Sequence, residues 1–146
     1  SCRRIWFGGV RHESVKGMNQ RIMVVDDELG PRESFRMLLK DRFEVHTAAS
    51  GEECLASIRE QEYALVFLDV RMPGMDGIET LARLRQLRPT LPVVIVTAYT
   101  TMDAASRAVE MGAFGSLIKP FTRRDVERYV GLALAAGTVE ADAPHR

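Results

Sequence analysis

Histidine and cysteine are scarce in this chain of 146 residues, which has three of the first and two of the second. His12, His46 and His145 are scattered and read as incidental, so a histidine-rich metal centre is excluded. Cys2 and Cys54 show neither metal-ligand spacing nor a disulfide framework. Cys54 falls beside Leu55 and Ile58 on an expected helix and reads as a small buried hydrophobe, with a reducing cytoplasm as the expected setting. Long apolar runs are also missing. None reaches the length of a membrane span, and Ile5-Trp6-Phe7 is too short for a signal-peptide core. Charge of one sign is not in excess: 20 Lys and Arg balance 20 Asp and Glu. That excludes broad attraction to nucleic acid or a membrane surface, and the Arg3-Arg4 and Arg123-Arg124 pairs read as surface solvation. No Walker loop, nucleophile elbow, internal repeat or low-complexity segment is present.

What is present is an alternation of strand-like and helix-like segments, in a chain large enough for one domain with its own core. Met18 stands just before the first strand and reads as the natural start, so residues 1–19 are set aside as an extension. The domain is expected over residues 20–136, with residues 137–146 as a C-terminal tail or cut linker. Ile22 to Val25 forms the first strand. Pro31 suits the first turn of the following helix, whose apolar face is Phe35, Leu38 and Leu39. A short second strand is expected from Phe43 to Thr47. Ser50 with Glu53 makes a capping-box pattern for a helix to about Glu60. Asp76 can cap a third helix, with Ile78, Leu81, Ala82 and Arg85 on one face. A fourth helix is expected from Thr101 to Met111, stopped by Gly112. Thr122 can cap the last, on which Val126, Tyr129, Val130, Ala133 and Leu134 keep the helical period.

Strands without polar alternation are expected where helices cover both faces of a sheet. Strands separated by helices predict right-handed crossovers and parallel pairing. The expected fold is therefore a five-stranded, doubly wound α/β domain with strand order 2-1-3-4-5.

Each major strand runs into a chemically useful residue. Ile22-Met23-Val24-Val25 leads to Asp26-Asp27, Leu65-Val66-Phe67-Leu68 to Asp69, Val93-Val94-Ile95-Val96 to Thr97, and Phe114 to Ile118 leads to Lys119-Pro120. In an open parallel sheet the carboxyl ends of the strands share one edge, where ligands bind. Three carboxylates, a hydroxyl and an ammonium would meet there, a place to hold a divalent cation and a phosphoryl group. Taken singly each has a plainer reading. Asp26 and Asp27 could be helix caps, Glu28 a solvated carboxylate, Thr97 the start of a loop and Lys119 a surface lysine. Clustered carboxylates, however, raise one another's pKa or recruit a cation, and Mg²⁺ suits one or two carboxylates plus waters and phosphate oxygens. The loop after Asp69 has Pro73, Gly74 and Gly77, as a tight turn requires. The Lys119-Pro120 bond is a candidate for the cis form.

Four motifs in order, Val24-Val25-Asp26-Asp27-Glu28, Asp69-Val70-Arg71-Met72-Pro73-Gly74-Met75-Asp76-Gly77, Val96-Thr97-Ala98 and Lys119-Pro120-Phe121, make the chain resemble the receiver domain of two-component response regulators. The wording of the third-strand loop and of Gly112-Ala113-Phe114 is most similar to receivers of nitrogen-regulator-type transcription activators. The resemblance implies a flavodoxin-like fold and an autocatalytic phosphoacceptor rather than a turnover enzyme. It implies that Asp69 takes a phosphoryl group from a sensor histidine kinase. Mg²⁺ would be held by Asp26, Asp27, Asp69 and the backbone carbonyl of Arg71. Lys119 would contact the phosphoryl oxygens, and Thr97 would turn to bond one of them. It also implies a homodimer or effector face on the fourth helix, fifth strand and fifth helix, exposing Arg107, Glu110, Arg124 and Arg128. An output domain, ATPase or DNA-binding, would lie outside this chain. Arg71 and Tyr99 occupy variable positions beside the phosphoryl group. One departure stands out: Ser116 replaces the aromatic residue that receivers commonly carry three positions before the lysine.

Three other readings compete. A Mg²⁺-dependent aspartyl-phosphate hydrolase needs a further acid/base and a cap, for which no segment is long enough. A flavodoxin-like cofactor domain needs a phosphate-cradling first loop, which Asp26-Asp27-Glu28 opposes. A receiver-shaped interaction module acting without phosphorylation has Ser116 as its support.

Overall fold

The computed structural model describes residues 20–70, 77–98 and 102–142. Strand and helix alternate from end to end: β1 (Arg21–Val25), α1 (Leu29–Leu39), β2 (Glu44–Ala48), α2 (Gly51–Glu60), β3 (Leu65–Asp69), α3 (Gly77–Leu87), β4 (Val93–Ala98), α4 (Met102–Glu110), β5 (Gly115–Lys119) and α5 (Arg123–Asp142). The five strands form one sheet in the order 2-1-3-4-5. Every pairing is parallel. This is the expected doubly wound fold.

The apolar strands need no alternation of polar and apolar residues because both faces are covered. Ile22 and Val24 of β1 and Leu65 and Phe67 of β3 pack with Phe35 and Leu39 of α1 and Val126, Val130 and Ala133 of α5. The intervening residues, Met23, Val25, Val66 and Leu68, face the other way onto Cys54, Leu55 and Ile58 of α2, Leu81 and Leu84 of α3, and Ala108 of α4. Two helices thus cover one face and three the other. Phe35 joins the first layer to the loop after β5, its ring centroid 4.7 Å from Phe67 and 4.8 Å from Phe121. β3, at the centre, is buried at all five residues.

Local sequence signals set the starts of two helices. The Ser50 hydroxyl accepts the Glu53 amide at the start of α2, and the Glu53 carboxylate accepts the amide of Ala49. Thr122 and Asp125 close a reciprocal box at the start of α5: each side chain accepts the other's backbone N–H, at 3.1 and 3.0 Å. β2 lies one residue later than the sequence suggests, because Glu44 rather than Phe43 pairs with Arg21 while Phe43 turns into the core. α5 runs past Gly137, where the sequence reading begins a tail, as far as Asp142. The expected cap Asp76 and the start at Met18 lie outside the described residues.

Arg85 departs from an ordinary place on an apolar helix face. Its guanidinium donates to the carbonyls of Pro89, Leu91 and Gly112, tying the α3–β4 turn to the α4–β5 turn, while its Nε is buried without a partner among the described residues. Burial pushes its pKa down.

Candidate functional site

The parallel sheet delivers its carboxyl ends to one edge. Asp26 follows the last residue of β1, Asp69 ends β3, Thr97 and Ala98 end β4, and Lys119 ends β5. Asp26, Asp69 and Thr97 are buried, with relative exposures of 2%, 6% and 0%, whereas Asp27 is exposed. One carboxylate oxygen from each of Asp26, Asp27 and Asp69 lies within 4.8 Å of the others. The Lys119 ammonium donates to Asp69 Oδ2 at 3.3 Å and to Asp26 Oδ2 at 3.5 Å. Burial works against its charge, but the two carboxylates outweigh that and hold its pKa above the ordinary value. The Lys119–Pro120 bond is cis.

The two aspartates after β1 do not cap α1. Its N-cap residue is Glu28, with no side-chain cap bond. Asp26 instead folds its own loop: Oδ1 accepts the Glu28 amide at 2.9 Å, and its backbone N–H donates to the Ala48 carbonyl of β2. Glu28 is exposed, as expected. The Thr97 hydroxyl donates to the Ala98 carbonyl at 3.2 Å. Gly77 is required by close packing. A methyl group there would stand 2.3 Å from Val70 Cα and 2.5 Å from the Asp69 carbonyl oxygen. Ser116 is half-buried and lies opposite Ile95 of β4. Arg71 and Tyr99 fall outside the described residues.

One site residue escaped the sequence reading. Arg32, in the first turn of α1, donates from Nη1 to the Asp26 carbonyl at 2.7 Å. An arginine early in a helix reads as solvated, and the only signal was its place six residues after Asp26.

Three carboxylates facing one ammonium leave an excess of negative charge on oxygen donors, the donor set that a hard divalent cation takes. The residues fit Mg²⁺ on that chemistry.

A family described as "Response regulator receiver domain" matches residues 22–130. The chain belongs to that family. It is a receiver domain of a two-component response regulator, and receivers are signalling domains rather than turnover enzymes. The receiver is 38% identical over 128 residues to the transcriptional regulatory protein ZraR of Escherichia coli (strain K12), covering 86% of this chain and 29% of that protein. It is 35% identical over 132 residues to the transcriptional regulatory protein SrrA of Staphylococcus aureus (strain NCTC 8325 / PS 47), covering 88% and 54%. The chain thus spans about a third to a half of these relatives' length. The crystal structure of the receiver domain of NtrX from Brucella abortus superposes with a TM-score of 0.75 at 32% identity, covering 78% of this receiver and 98% of that chain. A CheY-like receiver from Methanospirillum hungatei JF-1 gives 0.79 at 29% identity, covering 84% and 98%. Among the described residues no helix is long and apolar enough to cross a membrane.

Proposed function

We propose that Asp69 is the phosphoacceptor of this receiver and that its phosphorylation switches an output partner or domain. The observation that carries the reading is the pairing of a buried Asp69 carboxylate with the Lys119 ammonium, within reach of two further aspartates. An oxygen of Asp69 attacks the phosphorus of a phosphohistidine on a sensor histidine kinase. The P–N bond breaks, the imidazole leaves, and a P–O bond forms to give an acyl phosphate. Asp27, Asp26, Asp69 and the Arg71 carbonyl would hold Mg²⁺. When bound, the ion supplies positive charge that offsets repulsion between the phosphoryl oxygens and the carboxylates. Lys119 then bonds the phosphoryl oxygens in place of its present carboxylate partners.

The product carries about two new negative charges and three acceptor oxygens. The Thr97 hydroxyl, now on the Ala98 carbonyl, is the donor that turns toward them, and α4 follows directly from its loop. Moving such a switch from mostly off to mostly on takes about 5.5 kcal/mol of differential stabilisation. Arg107, Glu110, Arg124 and Arg128 are exposed on α4 and α5, which supports that face as a homodimer or effector surface. The names of ZraR and SrrA support transcription regulation as the output, and the proposal assigns that output to an ATPase or DNA-binding domain outside this chain, in the cytoplasm. The receiver's even charge gives it no part in direct nucleic-acid binding. Half-buried Ser116 takes no aromatic role, so Thr97 carries the switch without one.

Intact mass after incubation with Mg²⁺ and a small acyl-phosphate donor tests the reading. One phosphoryl group should be gained, Mg²⁺-dependently, and not by an Asp69→Asn variant. No gain by folded, Mg²⁺-bound protein would point instead to a module acting without phosphorylation. Rapid donor consumption without an adduct would point to a hydrolase. Arg71 and Tyr99 are proposed to govern access of water to the acyl phosphate. Replacing both by alanine should change the phosphoryl lifetime severalfold, and an unchanged lifetime would remove them from that role.

A further inference from the structure

We propose that Arg32 is a positioning residue that aims the metal-binding aspartates, an inference that rests on the Mg²⁺ site described under Proposed function. Asp26 is held at each of its three oxygens. The Glu28 amide takes Oδ1 at 2.9 Å, Lys119 takes Oδ2 at 3.5 Å, and Arg32 Nη1 takes the backbone carbonyl at 2.7 Å. The first two bonds fix the side chain of Asp26. The third acts on the peptide that joins Asp26 to Asp27.

That peptide is planar, so fixing its oxygen fixes the direction in which the chain enters Asp27. The Asp27 side chain is exposed, so the backbone does more to aim it than packing does. Arg32 sits one turn along α1, a rigid element anchored by buried Phe35 and Leu39. Its hydrogen bond therefore references the acidic loop to the core. The atom Arg32 bonds, the Asp26 carbonyl oxygen, is not one of the proposed ligand atoms, so its action on the metal site passes through the loop.

Two effects of removing Arg32 have opposite signs. Deleting a cation near three carboxylates favours Mg²⁺. Releasing the Asp26–Asp27 peptide disfavours it, because the loop must be ordered when the ion binds. A part-buried arginine at the protein surface is substantially screened by solvent. Residues that orient metal ligands from outside typically change affinity by about tenfold or more. Loss of aim therefore dominates.

The test is a calorimetric Mg²⁺ titration of the full chain, wild type against Arg32→Met and Arg32→Lys, with thermal midpoints in EDTA alongside. Met keeps the apolar stem but removes donor and charge. Lys keeps the charge but replaces the planar fork by a compact, strongly hydrated ammonium. The expected result is a Kd raised about tenfold in Arg32→Met and about threefold in Arg32→Lys. Kd unchanged or lowered in either folded variant overturns the inference, whatever happens to the midpoint. Should Arg32→Met fail to fold, Arg32→Lys carries the test alone. A wild type that binds no Mg²⁺ overturns the underlying metal site and this inference with it, whereas bound Mg²⁺ without phosphoryl uptake overturns only the phosphoacceptor reading.

Discussion

Lys119 is the counter-ion of two buried carboxylates, and its removal exposes what they cost. With Lys119→Met the carboxylates of Asp26 and Asp69 lose the ammonium they share and keep their mutual repulsion, as when one partner of a buried pair is removed. The lysine is itself 30% exposed, so the loss is discounted to about 2 kcal/mol. Denaturant unfolding in EDTA measures it. The raised pKa of Lys119 gives the native state stability that is complete at neutral pH and lost as pH rises through the folded value. Cys54 acts in the same direction. Burial pushes its thiol up to about 12. Above the ordinary thiol range the unfolded chain loses a proton that the folded chain keeps, so stability falls by up to about 1.4 kcal/mol per pH unit on the way to that value. Comparing wild type with Cys54→Ala between pH 8 and 11 isolates this part, and the variant's curve should be the flatter. Asp26, Asp27, Asp69, Thr97 and Lys119 were legible in the sequence because each ends or follows an apolar run whose parallel pairing aims it at one edge. Arg32 was not, because its bond depends on how the loop folds back over α1. The His46 link to Tyr63 was equally hidden, since Tyr63 lies in the loop before β3 and meets β2 only in the folded sheet.

Among the elements, boundaries followed local chemistry where a side chain could satisfy an amide and failed where they depended on accumulated propensity. Ser50 and Thr122 both cap as their sequences suggest. Thr122→Ala and Asp125→Ala should each cost about 1 kcal/mol in thermal or denaturant unfolding, since each removes a different bond of the box. A loss in only one of the two single variants would contradict a reciprocal box. The expected tail from Gly137 begins inside α5, because its small, polar composition carries no helical signal although the helix continues to Asp142. A lone glycine costs only about 1 kcal/mol in a helix, and the Ala-rich stretch before it carries the helix across. Gly77 is the sharper case at an element boundary. Its sequence context signalled a turn but not that α3 starts against the carbonyl of Asp69. Gly77→Ala should destabilise the domain by about 2 kcal/mol or more, with the backbone near Asp69 displaced. Thermal unfolding together with phosphoryl uptake would register both.

At the scale of the whole molecule, strand order was legible because few arrangements suit four right-handed crossovers, and the site followed from that order rather than from any single motif. Mg²⁺ should stabilise the fold by mass action, by about 2.7 kcal/mol at a hundredfold excess over Kd. The thermal midpoint should therefore climb with Mg²⁺ and stay nearly flat in Asp27→Ala. β3 has a consequence for genetics. It is the innermost strand, bordered by β1 and β4, and it carries Asp69 at its tip. Random mutagenesis that selects for silent receivers will be crowded along β3 with alleles that lower protein abundance. Alleles that abolish signalling at normal abundance will cluster at the strand tips, so a screen scored by both output and protein level separates folding from signalling without a purified sample.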